Sequence, residues 1–125
     1  MNSAIPFDLI VTTPTLAASA ASTQILTLDQ DAEFHLFAKA CRTSADLVGD
    51  AEPNNCTVQI TDQGTGRQWS NAPLEQNLFA PRQYNAPTPP IRLQAGTILR
   101  FDIVNTAAAP AYVMVKLSGM NVYPA

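Results

Sequence analysis

"EFHLFAKACR", Glu33 to Arg42, is the stretch that decides the fold class. As an extended chain it sends Phe34, Leu36, Ala38 and Ala40 to one side, and Glu33, His35, Lys39 and Cys41 to the other. That is the period of two expected of a half-buried strand. Phe37 interrupts the alternation and is expected to cover a second surface. A helix would need apolar residues at i, i+3, i+4 and i+7 without a breaker, and no window in the chain offers this.

Working outward, the same period recurs between proline- and glycine-rich punctuation. The expected strands are Ile5 to Val11, Thr23 to Leu28, Glu33 to Arg42, Cys56 to Thr61, Arg67 to Ser70, Ile91 to Leu93, Thr97 to Val104, and Ala111 to Leu117 leading past Ser118-Gly119 into Met120 to Tyr123. Asp62 to Gly66 reads as a hairpin turn, its glycines supplying positive φ. Ser118-Gly119 reads as an ordinary turn pair. The connection Asn71 to Pro90 holds five prolines, which cannot donate to a ladder, so it is expected to cross between sheets or lie along an edge. The fold class is therefore all-β: an antiparallel two-sheet β-sandwich, jelly-roll-like, of about eight strands. Its expected core is Phe34, Leu36, Val58, Ile60, Leu99, Phe101, Ile103, Val113, Val115 and Leu117.

A chain of 125 residues fits a single domain, 1–125, with residues 1–22 forming an extended N-terminal arm plus the first strand. The arm, notably "TTPTLAASAAS", is expected either to lie on a neighbouring subunit or to be a loop. The opening lacks the basic region of a signal peptide, and Pro6 and Asp8 interrupt its apolar run. No stretch is long enough to cross a membrane as a helix. Synthesis in a reducing cytoplasm is the corresponding expectation. Charged residues make up only 14% of the chain, so much of the surface must be Thr, Asn, Gln, Ser and Ala, as suits a surface occupied by partners. The seven basic residues are scattered singly, which argues against nucleic-acid binding through phosphates.

Candidate chemistry is sparse. Asp29, Asp31 and Glu33 stand at i, i+2 and i+4, a spacing open to a hard cation, but the glycine and distal glutamate of a calcium loop are missing. A polar turn is the simpler reading. His35, the only histidine, has no legible nucleophile or orienting partner. Cys41 and Cys56 match no zinc spacing, and simple alternation puts them on opposite faces, favouring buried thiols over a disulfide. No enzyme, metal site or cofactor is expected. Trp69, Phe79 and Tyr84 group near the proline-rich connection. They fit a partner interface or a sugar-stacking platform, and a core role equally suits the sole Trp.

"LDQDAEFHLFAKA", then "VQITDQGTGRQWSNAPL", then a proline-rich stretch and "IRLQAGTILRFDIVNTAAAPAYVMVKLSGMNVY" follow one another in an order that resembles small β-sandwich virion proteins of tailed bacteriophages. The likeness covers the chain from about Leu28 onward. It implies a non-enzymatic structural role, most directly a capsid decoration or cement protein. It further implies the major capsid protein or other virion proteins as partners, a homo-oligomer, and residence in the virion after assembly in the host cytoplasm. The alternative is a carbohydrate- or receptor-binding sandwich of a fibre, collar or tail.

Overall fold

The computed structural model describes residues 3–43, 55–76 and 91–124. Nine strands are formed: β1 (Ser3–Thr12), β2 (Ala21–Thr27), β3 (Glu33–Thr43), β4 (Cys56–Asp62), β5 (Arg67–Gln68), β6 (Leu74–Glu75), β7 (Ile91–Leu93), β8 (Ile98–Asn105) and β9 (Val113–Tyr123). They make two antiparallel sheets, ordered β1-β9-β3-β7 and β2-β8-β4-β5, with the two-residue β6 also paired to β4.

The pairings nest: β1 with β9, β2 with β8, β3 with β7, and β4 with β5. The chain is thus one long antiparallel ribbon, doubled back at the β4–β5 turn and wound so that its rungs fall alternately in the two sheets. Cross-pairs β3–β9 and β4–β8 then close each sheet. This is the strand order of a jelly roll, two interlocked Greek keys.

Ribbon continuity holds at the corners. Where β1 passes to β2 and β8 to β9, the two connections run together: Leu16 and Ala111 exchange backbone bonds of 2.8 and 2.9 Å. The buried Asn105 amide donates to the carbonyls of Leu16, Ala17 and Ala109 at 3.0–3.2 Å. Where β2 passes to β3 and β7 to β8, the Gly96 amide reaches the Asp29 carbonyl, and the turn takes φ 74° at Gly96. Residues of the supposed arm are therefore bonded to their own chain, β1 along its whole length and Thr13, Leu16 and Ser19 beyond it.

All ten expected core residues are buried to within 1% exposure. Leu9, Val11, Leu28, Cys56 and Leu93 join them in one cluster between the sheets. Burying these apolar side chains on both inner faces is the main force holding the layers together.

Two local readings change. A bulge lies in β3 between Leu36 and Ala38, and Phe37 is the extra residue. It reverses the alternation: beyond it Lys39, Cys41 and Thr43 stand opposite the buried Leu117, Val115 and Val113, while Ala38 and Ala40 turn to the outer side. Ser118-Gly119 is not a turn, because β9 runs unbroken through it beside that bulge. A Cβ at Gly119 would overlap the His35 carbonyl, so glycine permits the close approach of β9 to the bulged strand.

Candidate interaction surface

The outer faces of the two sheets both mix exposed apolar residues with charged ones. On the first sheet, register places Pro6, Met120, His35 and Arg92 in one row, Ile10, Lys116 and Ala40 in another, and Thr12, Met114 and Arg42 in a third. Ile10 is 52% exposed, and Met114 and Phe37 are exposed too. The result is a surface of apolar and small residues that also carries the charges of Asp8, Lys116, Glu33, Arg42 and Arg92. The second sheet carries Thr23, Ile25, Ile98, Arg100, Asp102 and Gln59 outward, with Ile25 52% exposed and Arg100 and Asp102 in an ion pair at 3.1 Å. Met114, Met120, Arg42 and Arg92 on the first face are of residue types enriched at protein interfaces.

An edge adjoins that face. β1 is the outermost strand of the first sheet and has no second strand partner among the described residues. The Thr13 amide bonds to Val113, so odd-numbered residues pair with β9 and even-numbered ones turn their main chain to the free edge. Pro6 falls in the even set, and its missing N–H interrupts the row of donors available to another strand. Ile5 and Phe7 lie on the inner side of this edge yet are 52% and 46% exposed. Together with Ile10 they put apolar side chains on both sides of the edge, with Asp8 between Pro6 and Ile10 on the outer side.

Of the residues singled out by sequence, Cys41 and Cys56 are brought together, their sulfurs 3.5 Å apart. Trp69 is half-buried and packs on the core, its amide bonded to the Ile60 carbonyl. Phe79 and Tyr84 lie outside the described residues. Asp29 spends its carboxylate locally: one oxygen accepts the Asp31 amide at 2.7 Å, the other the Tyr123 hydroxyl at 3.0 Å. That bond to Asp29 is the main reason the Tyr123 phenol titrates above its ordinary range. Glu33 stands 3.6 Å from His35. Among the described residues no three of His, Cys, Asp and Glu converge as a metal-binding group.

The β4–β5 hairpin is a self-satisfied turn. The Asp62 carboxylate accepts the Gly64 amide at 2.9 Å and the Thr65 amide at 3.4 Å, and the Asp62 carbonyl accepts the Gly66 amide. Only Gly66 of the two glycines takes positive φ, 73°. Amides already bound to Asp62 are not presented to a phosphate. Beside the turn, on the outer face of the second sheet, an open hollow of about 500 Å³ is lined by Thr61, Gln63, Gln68, Ile98 and Arg100.

Sequence reasoning missed the first sheet's outer face because the bulge decides which residues occupy it. The signal was Phe37, an apolar residue out of phase in an otherwise regular run. Comparison with protein-family models, curated proteins and solved structures returns no match.

Proposed function

We propose that this chain is a non-enzymatic structural protein of a bacteriophage virion, most directly a decoration or cement protein that adds to a preformed capsid. The observation that carries this reading is the combination of a jelly-roll sandwich with exposed Ile10, Met114 and Phe37 on the outer side of the first sheet, beside a ten-residue strand that has no second strand partner among the described residues. Jelly rolls recur in viral capsid and lectin domains, an analogy of fold that lends support without deciding function. The order of sequence segments supports the same reading. The face formed by Ile10, Met114, Met120 and Phe37 would meet the major capsid protein, and β1 would lie at the seam. Many linked copies on a lattice hold well even where each contact is modest.

The test is the protein content of purified particles. The chain is expected at a fixed ratio to the major capsid protein, and particles made without it are expected to form and then to open at lower temperature. Absence from particles, or a role confined to the infected cell, overturns the reading.

A second reading, a receptor-binding sandwich for carbohydrate, draws on the polar hollow beside the β4–β5 turn. Its amides and Arg100 suit hydroxyl groups. The packing of Trp69 on the core removes that residue as an open stacking platform. Specific glycan binding that is lost on Gln68→Ala, with unchanged particle incorporation, would favour this second reading.

A further inference from the structure

We propose that Cys41 and Cys56 are a redox pair, which an oxidant such as a peroxide or a low-molecular-weight disulfide closes into a covalent bridge between the two sheets. Cys41 lies on β3 in the first sheet and Cys56 on β4 in the second, and their sulfurs are 3.5 Å apart as thiols. A disulfide needs about 2.0 Å, so closure asks for an approach of about 1.5 Å. The bulge at Phe37 creates this juxtaposition by turning Cys41 inward; without it the two thiols would sit on opposite sides of β3.

The surroundings hold both strands in place. Gln76, itself buried, accepts the Cys56 thiol at 3.8 Å through Oε1 and donates from Nε2 to the Cys41 carbonyl at 3.4 Å. The two sulfurs are unequal in access. Cys41 is partly exposed and Cys56 is wholly buried. An oxidant therefore meets Cys41 first, and Cys56 is the resolving thiol.

With a peroxide, the Cys41 sulfur attacks one oxygen, the O–O bond breaks, and water or an alcohol leaves, giving a sulfenic acid. The Cys56 sulfur then attacks the Cys41 sulfur, the S–O bond breaks, and a second molecule leaves as water. Two thiols lose two protons and two electrons, and the peroxide takes them up. With oxidised glutathione, exchange at Cys41 releases one glutathione thiol and resolution by Cys56 releases the second. The device needs no partner and stands independently of the proposed virion role. It would leave the protein reduced where it is made and covalently tied once it is exposed to an oxidising medium.

The experiment treats the full chain with hydrogen peroxide or oxidised glutathione and follows intact mass and peptide maps. The expected result is a monomer lighter by two hydrogens, with the Cys41 and Cys56 peptides joined, melting about 10 °C higher. Dithiothreitol is expected to reverse both changes. In Cys56→Ala the glutathione adduct on Cys41 is expected to persist instead of resolving. Persistent glutathione or over-oxidation at Cys41 of the wild-type chain, or bridges found only between two chains, overturns the proposal. The wild-type peptide map decides the matter even if the variant does not fold.

Discussion

Gly119 is the residue where the geometry leaves least room. A methyl group there meets the His35 main chain and the Phe34 ring, and the main chain cannot rotate away. Gly119→Ala is expected to lose about 3 kcal/mol, measured by urea unfolding, whereas alanine at Gly64, in open turn surroundings, is expected to change little. Asn105 carries a different load. It is fully buried, and its amide satisfies three carbonyls that cross between sheets while its oxygen accepts the Ala107 amide at 2.9 Å. Asn105→Asp would turn a carboxylate toward those carbonyls at neutral pH. A loss of about 3 kcal/mol is expected there, with part recovered in acid when the carboxyl can again donate. Lys39 supplies a pH signature. Burial holds its amine below the ordinary 10.5. Between its folded and unfolded values the unfolded chain binds more protons, so this group makes stability rise with pH in that window. The advantage of Lys39→Met over wild type is therefore expected to shrink as pH is raised from neutrality toward 10.5. A gap that stays constant or widens would contradict the assignment.

At the scale of elements, the legible parts of the sequence were those where a strand alternates without interruption. Ile98 to Asn105 does so throughout, and its four inward residues, Leu99, Phe101, Ile103 and Asn105, have no exposure. Val58 and Ile60 on β4 were equally plain. The Asp62 to Gly66 turn was also readable, because a positive φ is demanded there and Gly66 meets it. The reading failed where a long-range partner decides local geometry. Phe37 announces an irregularity, but only the pairing of β3 with β9 settles that the strand bulges and reverses its faces. Ser118-Gly119 has the composition of a turn, yet its glycine serves a close approach between strands. The composition of the first sheet's outer face was hidden for the same reason. Its members come from β1, β3 and β9, which are separated in sequence by up to about a hundred positions and become neighbours only when the ribbon winds. Of the aromatic group nominated from the sequence, Trp69 packs against the core, a role the sequence also allowed it, and Phe79 and Tyr84 lie outside the described residues.

At the scale of the whole molecule, the jelly-roll winding gives two outer faces, and the proposed function assigns docking to the one that adjoins the β1 edge. A decoration protein that docks through the first sheet should be sensitive to charge on that face and indifferent to it on the other. Ile10 and Ile25 are a matched pair for the comparison: both are 52% exposed, on β1 and β2 respectively, and neither supports the core. Aspartate at either position should leave the fold intact, to within about 0.5 kcal/mol. The measurement is saturation binding of purified protein to capsids assembled without it, for wild type, Ile10→Asp and Ile25→Asp. The account expects wild type and Ile25→Asp to fill the particles to the same stoichiometry, and Ile10→Asp to bind at least about tenfold more weakly, the equivalent of about 1.4 kcal/mol. Failure of the wild-type chain to bind, or loss of binding in Ile25→Asp with full binding in Ile10→Asp, would contradict it.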